Sequence, residues 1–180
     1  MRYIAYDLEA TCWMGRPPKG ITEVIEIGAY KLDDFGQVVD IFSKFVQPVV
    51  NPQLSGFCKK LTSITQENVD RAEKFSKVVA DFMDFCEIEN DDYVLCSWGP
   101  ADPRLLRGDC ELHDIESEWL EASINIKKQY HAIKGVKVER GLKAVTKKEG
   151  FEFTGIHHRA IADAENLAKI VAKYIDEWVV

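Results

Sequence analysis

The sequence lacks any apolar run long enough to cross a membrane, and its first apolar segment already carries a carboxylate at Asp7. A membrane-spanning helix needs about 20 mostly apolar residues. The apolar core of a secretion signal does not contain an acid. The sequence therefore predicts a protein that has no membrane partner, and we expect a cytoplasmic location.

Paired cysteines and linker sequences are also missing. The five cysteines are odd in number, widely spaced and never arranged as CxxC, so no zinc or thiol-redox motif is indicated and we expect reduced thiols. No internal repeat and no long stretch of Gly, Pro or Ser divides the chain. With 180 residues, 46% of them hydrophobic, we expect one domain over residues 1–180.

Positive charge is in deficit, since 23 Lys and Arg stand against 30 Asp and Glu, for a net charge of −7. Coating of duplex DNA, which requires many Lys and Arg contacts to phosphate, is thus disfavoured, and any contact with nucleic acid must be local. One segment has the opposite charge: residues 127–148 hold eight basic residues and one acid. This basic segment predicts either a phosphate-binding surface or an ordinary solvated one. Its basic residues are Lys127, Lys128, Lys134, Lys137, Arg140, Lys143, Lys147 and Lys148.

The residue pattern predicts a mixed α/β domain. Residues 2–8, 23–32 and 38–48 are rich in strand-forming residues, and Asp33, Asp34 and Gly36 predict a turn between the last two segments. Beyond residue 52 the pattern becomes helical, with Thr65 as an N-cap and an amphipathic helix over residues 75–88. Residues 93–98 predict a buried strand, residues 124–130 fit a strand or a helix, and residues 160–178 predict a helix that packs on the sheet. This order favours helices that flank a central sheet.

Two acids stand on the first predicted strand. Asp7 and Glu9 are two residues apart, so their side chains point to the same side of the strand, opposite to Ile4, Tyr6 and Leu8. Carboxylates held close together repel one another, and a bound divalent cation removes that cost. By themselves, two such acids are more typical of an ordinary protein surface than of a metal site.

Three further candidates occur at the ends of predicted elements. Asp102 follows the strand at residues 93–98, where functional loops often lie, although it could also cap the next helix. His158 lies just before the last predicted helix, and Asp163 lies near its start. Five residues apart, they do not share a helical face, so we expect His158 on the loop or first turn, close to a cluster that Asp163 reaches from the helix. Taken singly, His158 could be a surface histidine beside His157.

The five residues together, in this order, resemble the DEDDh 3′→5′ exonucleases: D-L-E at residues 7–9, Asp102 after a strand, and H-x-x-x-x-D from His158 to Asp163. Within that family the chain is most similar to the exoribonuclease branch that trims the 3′ ends of histone mRNA and small RNA, and to bacterial sporulation-inhibitor-like relatives. The segments that carry this resemblance are residues 7–12, 23–29, 52–72, 97–102, 125–130 and 157–170.

The resemblance implies an α/β, RNase H-like fold with a mixed five-stranded central sheet. It implies that Asp7, Glu9, Asp102 and Asp163 are catalytic ligands for two divalent cations, Mg²⁺ or Mn²⁺. His158 would be the general base, because its ordinary pKa lies near neutrality. The expected activity is removal of nucleoside monophosphates from the 3′ ends of single-stranded nucleic acid, with RNA as the first choice.

Further residues are expected to bind the substrate. Glu9 and the backbone that follows it would contact the terminal sugar. Leu61 and Ile64 would either contact the terminal base or belong to the core. Trp13 could extend that base platform by stacking. The complete set of expected substrate-binding residues is Glu9, Ala10, Thr11, Leu61, Ile64 and His158.

Two alternatives stay open. The same site could serve a DNA 3′→5′ exonuclease. The fold could also persist as an inactive regulatory binding module, although the presence of all five site residues argues against this.

Overall fold

The computed structural model describes residues 1–90 and 92–180, which form a six-stranded mixed sheet with helices on both faces. The strands lie in the order β4-β3-β2-β1-β5-β6. They are β1 (Arg2–Ala10), β2 (Val24–Leu32), β3 (Val38–Gln47), β4 (Glu73–Lys74), β5 (Tyr93–Ser97) and β6 (Ser123–Asn125).

Strand β1 lies at the centre because it pairs antiparallel with β2 and parallel with β5. Strands β2 and β3 form the predicted hairpin. Its turn is stabilised by the Asp33 carboxylate, which accepts hydrogen bonds from the N–H groups of Phe35 and Gln37 at 3.0 and 2.8 Å. Gly36 takes the positive φ of 76° that this turn requires.

The α/β, RNase H-like fold is confirmed, with six strands where five were expected. The additional strand is the two-residue β4, which pairs only with Val46 and Gln47 at the end of β3. So short a strand has no alternating pattern that a sequence could reveal. Residues 124–130, which fitted either a strand or a helix, include the end of a strand and most of a helix, since β6 ends at Asn125 and a helix begins at Ile126.

The helices range from five residues in α2 to 14 residues in α7. Thr65 is confirmed as an N-cap, because its hydroxyl accepts a hydrogen bond from the Asn68 N–H while the Asn68 side chain accepts one from the Thr65 N–H. The helices are α1 (Gly56–Thr62), α2 (Gln66–Asp70), α3 (Phe75–Cys86), α4 (Ala101–Leu112), α5 (Ile126–Ile133), α6 (Leu142–Lys148) and α7 (Ala160–Lys173).

Two apolar layers enclose the sheet, one on each face. Ile4, Tyr6 and Leu8 of β1 pack with residues of α3 and α4. The alternate residues of β1 face α5, α6 and α7. Because Asp7 and Glu9 belong to this second set, their carboxylates point toward the beginning of α7.

Gly28 allows α7 to approach the sheet closely. It pairs with Asp7 across the strands, and a Cβ atom at this position would lie 2.3 Å from the backbone nitrogen of Ile161. Any side chain would therefore separate α7 from the sheet. The absence of a side chain at Gly28 sets the distance between α7 and the acids of β1.

Within residues 1–90 and 92–180, none of the helices combines the length and apolar character needed to cross a bilayer.

We expect Gly28→Ala to destabilise the protein by at least about 3 kcal/mol, at the upper end of overpacking costs, because the obstacle is backbone. Urea unfolding measures this. Gly108→Ala is the matched control, since a Cβ there meets nothing within 4 Å and alanine is favoured in a helix by about 0.5–1 kcal/mol. Equal stability of the two variants would contradict the role of Gly28.

Candidate active site

Asp7 and Glu9 lie side by side near the end of β1, facing Gly28 and Glu26 on β2. Glu9 is 8% exposed. Burial, followed by the charges of Asp163 and Glu26, raises the pKa of Glu9 to about 8. Burial and the charge of Asp102 raise the pKa of Asp7 well above its usual range. The two carboxylates thus resist ionisation unless a cation is near.

Asp102 lies in the first turn of α4, and the helix N-cap is Pro100. The pairing of β5 with β1 ends at Ala5 and Cys96, so the later part of β1 has no strand on that side. There the Leu8 N–H donates to the Asp102 carboxylate. Burial raises the pKa of Asp102 to about 7.

Asp163 lies in the first turn of α7 and is 5% exposed. One of its oxygens accepts a hydrogen bond from the His158 N–H at 2.8 Å, and the other lies 2.9 Å from Nδ1 of His157. His158 precedes the helix, as expected, in a left-handed conformation with φ of 65°. This conformation is rare outside glycine, and the carboxylate of Asp163 holds it in place.

The structure brings three of the predicted ligands together. Ligand oxygens of Asp7, Glu9 and Asp163 all lie within 4.8 Å of one another. Asp102 is close enough to raise the pKa of both Asp7 and Glu9. An all-oxygen set of acids is what Mg²⁺ and Mn²⁺ prefer, so the donors present here fit a hard divalent cation.

A buried ion pair fixes the loop beside this cluster. Arg159 donates to both oxygens of Glu26 at 2.9–3.3 Å, and the Ala160 N–H donates to the same carboxylate at 3.0 Å. Glu26 is 1% exposed. Its charge is therefore satisfied by the segment that immediately follows His158.

His158 is suited to accept a proton. Burial and the neighbouring His157 lower the pKa of His158, and Asp163 opposes this. The two histidine rings stack with centroids 4.0 Å apart. The pKa shift favours the neutral imidazole at neutral pH, which has a free lone pair.

The residues expected to hold the terminal nucleotide differ in accessibility. Ala10 is half-buried, whereas Thr11 is buried and its hydroxyl accepts a hydrogen bond from the Glu23 N–H at 2.9 Å. Ile64 is completely buried in a cluster with Ile25 and Val69, so its side chain cannot reach a base. This is the core position that the sequence left open as an alternative.

Leu61 is 37% exposed and lines a surface cavity of about 550 Å³ with Met14 and Phe57. Helix α1, which carries Phe57 and Leu61, is attached to the segment after β1 because Ser55 donates to the Cys12 carbonyl at 2.6 Å. The apolar surface therefore borders the end of β1. Trp13 is half-buried in the same segment.

The basic segment runs along α5, the following loop and α6. Lys127 pairs with Glu139 at 3.1 Å, and Lys134 pairs with Glu149 at 3.5 Å. Lys143 is exposed and close enough to help lower the pKa of His158. The loop is tied to the end of β5, because the Trp98 indole donates to the Arg140 carbonyl at 3.3 Å.

Sequence reasoning assigned no role to Glu26, Arg159 or Phe57, and treated His157 only as a neighbour. One signal was available for Glu26, because it is an acid set directly between the apolar residues Ile25 and Ile27 of a buried strand, and a buried charge requires a partner. Nothing local identifies Arg159 as that partner.

The chain matches the Exonuclease family model, RNase_T, over residues 4–171. It is 31% identical to "3'-5' exoribonuclease 1" of Homo sapiens over 95% of this chain and 51% of that protein. It is 29% identical to "Probable 3'-5' exonuclease KapD" of Bacillus subtilis (strain 168), over 91% and 80% of the two chains. The chain thus spans about half the length of the first curated relatives it matches.

Solved structures have the same fold. The nuclease domain of "3'hExo, a DEDDh family member, bound to rAMP" superposes with a TM-score of 0.87 at 31% identity, over 97% of this chain and 92% of that one. A structure of a 3'-exonuclease that recognises a histone mRNA stem-loop gives a TM-score of 0.88 at 30% identity, over 97% and 63%.

We expect a divalent cation to stabilise the protein more strongly at about pH 8 than at about pH 6. The folded protein retains protons on Glu9 up to a pKa of about 8 and on Asp102 up to about 7, whereas the ordinary values are 4.5 and 3.8. Without metal, the free energy of unfolding therefore falls as pH rises through this window. A cation binds the ionised form and offsets the loss, by about 2.7 kcal/mol at 100 times its Kd.

Thermal unfolding with Mn²⁺ and with chelator measures this difference. In the control variant Asp7→Asn/Glu9→Gln the cation effect should be largely lost. A cation effect that is the same at both pH values and in both proteins would contradict the assignment.

Proposed function

Because the chain belongs to the RNase_T exonuclease family, we propose that it is a 3′→5′ exonuclease that releases nucleoside monophosphates from single-stranded RNA. The observation that carries this proposal is the convergence of Asp7, Glu9 and Asp163 within 4.8 Å beside His158. We further propose that residues 1–180 act as one exonuclease domain.

Asp7, Glu9, Asp102 and Asp163 would hold two divalent cations, Mg²⁺ or Mn²⁺. Such a pair, when bound, polarises the scissile phosphate and stabilises the charge on the departing oxygen. The protein's part is to hold four acids on three separate elements, β1, α4 and α7, at one end of the sheet. Burial keeps water from screening their charges.

His158 would take the proton of the attacking water. Its imidazole is neutral at working pH because its pKa is lowered, and a positioned base with a pKa near neutrality is effective. Asp163 fixes the backbone of His158 through its N–H. Asp163 therefore both holds metal and positions the base.

The 3′ end would meet the segment after β1. Glu9 and Ala10 would contact the terminal sugar, and the exposed surface formed by Phe57, Leu61 and Met14 would offer a base an apolar face. Ile64 belongs to the core cluster that includes Cys58 of α1, the helix that carries Phe57 and Leu61. Thr11 supports this surface by tying the segment to β2, since its N–H donates to the Glu23 carbonyl at 2.8 Å.

The basic segment would hold phosphates upstream of the cleaved bond. Of its charges, Lys143 supports this best, because its charge helps to lower the pKa of His158. Affinity for single strands should then fall as salt rises, and salt-independent binding would contradict this role.

RNA is placed before DNA because three of the curated relatives that the chain matches carry exoribonuclease names. DNA hydrolysis by the same site is the second enzyme candidate. An inactive binding module is the third, and the raised pKa values of Glu9 and Asp102 argue against it, because a site kept only for binding has no need of crowded acids. A cytoplasmic location is supported by five cysteines that are all free thiols, and cell fractionation tests it.

The decisive experiment digests 5′-labelled RNA and DNA of equal sequence with Mg²⁺, with Mn²⁺ and with chelator. We expect a ladder that shortens from the 3′ end, on RNA more than on DNA, and none with chelator or in Asp7→Ala. We expect His158→Ala to lower turnover by roughly 10²–10⁴ while the fold persists. Unchanged turnover in His158→Ala would remove the assigned base.

The apolar surface is tested by Phe57→Ala and Leu61→Ala. Stacking on a side chain contributes about 1–3 kcal/mol per base, so we expect KM to rise with little change in kcat. Phe35→Ala is the matched control, since Phe35 is 79% exposed in the β2–β3 turn, at the other end of β2 from Glu26. Equal kinetics in the three variants would exclude this surface.

A further inference from the structure

His157 has no part in the proposed hydrolysis, yet it contacts the same carboxylate as His158. Ligand atoms of His157, His158 and Asp163 all lie within 4.8 Å of one another. The acidic group described above consists of Asp7, Glu9 and Asp163. Two possible metal-binding groups therefore overlap, and Asp163 is their common member.

The two groups differ in chemistry. The acidic group offers only oxygen, which Mg²⁺ and Mn²⁺ prefer, whereas the second offers two imidazole nitrogens and one carboxylate oxygen. Nitrogen-rich sets with three protein ligands and one open position are typical of Zn²⁺. The second group thus selects a different ion from the first.

We propose that His157, His158 and Asp163 form a second, overlapping metal site that binds Zn²⁺ and whose occupation stops the exonuclease reaction. The inhibitory half of this proposal rests on the proposed function. The binding half rests only on the arrangement of these three residues.

The local geometry is close to what a zinc ion requires. Nδ1 of His157 lies 2.9 Å from Oδ1 of Asp163, and tetrahedral bonds of about 2.0–2.1 Å place ligand atoms about 3.3 Å apart. The pair needs to open by only about 0.4 Å on that basis. The stacked rings must also turn about their side-chain torsions so that their lone pairs converge on the ion.

The backbone that carries the ligands is already ordered. The His158 N–H donates to Asp163 at 2.8 Å, and the following residue, Arg159, is held by buried Glu26. The side chain of His157 is 37% exposed, so an ion can enter from solvent. Water or a phosphate oxygen can complete the fourth position.

Binding there would disable the proposed reaction in two ways. The lone pair of His158 would bond to the ion and could not accept a proton. One oxygen of Asp163 would leave the acidic group. Because Zn²⁺ exceeds Mn²⁺ in affinity for sites of this kind, inhibition should occur at concentrations far below those of the activating cation.

The binding half is tested without any activity. The variant Asp7→Asn/Glu9→Gln lacks the acidic pair and keeps all three proposed ligands, and Co²⁺ serves as a coloured substitute for Zn²⁺. We expect visible absorption bands of four-coordinate Co²⁺ that Zn²⁺ displaces. Adding His157→Gln should lower the affinity at least about tenfold, since even outer-shell partners contribute roughly 10–100-fold. Equal affinity with and without His157 would overturn the site.

The inhibitory half is tested by titrating Zn²⁺ into digestions at fixed Mg²⁺, with each protein normalised to its own rate without Zn²⁺. Half-inhibition of His157→Gln should require at least about tenfold more Zn²⁺ than the unaltered protein. His113→Gln is the matched control, because His113 stacks on Phe75 and its loss should leave the curve unchanged. Zn²⁺ binding without inhibition, or inhibition that is the same in all three proteins, would overturn the regulatory role. If no digestion occurs at all, the proposed function fails while the Co²⁺ titration still decides the site.

Discussion

Repulsion among buried carboxylates is the constraint on which the candidate site depends. Alternation along β1 places Asp7 and Glu9 on one face, and Asp163 reaches them from α7. Burial removes the water that would weaken their repulsion, so the pKa of Glu9 rises to about 8. Such a cluster is stable either when its carboxyl groups are protonated or when a cation is bound. The pKa values of these groups are therefore linked to metal binding.

The same crowding requires that α7 be held firmly on the sheet. Two residues of β2, which lie two positions apart, hold α7 in this way. Gly28 has no side chain, so the backbone of α7 approaches closely, and Glu26 binds the Arg159 side chain and the Ala160 N–H. A buried carboxylate that lost its arginine would cost several kcal/mol. The ion pair therefore sets where the His158 loop lies relative to Glu9.

Asp163 connects the two halves of the site. It belongs to the acidic group and also fixes the loop of His157 and His158 through both of its oxygens. Any ion that uses Asp163 therefore affects the proposed base, and any change in that loop affects the acids. The structures that superpose on this chain have the same fold, whereas pairs such as His157 and His158 depend on this chain's own sequence.

Short-range residue patterns were sufficient to predict the features that depend on close neighbours. Alternation placed Asp7 and Glu9 opposite Ile4, Tyr6 and Leu8, the residues at 33–36 gave the turn, and Thr65 gave a cap, because each depends on neighbours within a few positions. The resemblance of whole motifs gave the fold and the identities of the site residues. Their roles and their separations did not follow from the motifs. Three features became evident only in the folded protein: Ile64 is buried, β4 adds a sixth strand, and Arg159 pairs with Glu26 across 133 residues. These three features depend on contacts between segments that are distant in the sequence, and local residue patterns do not predict such contacts.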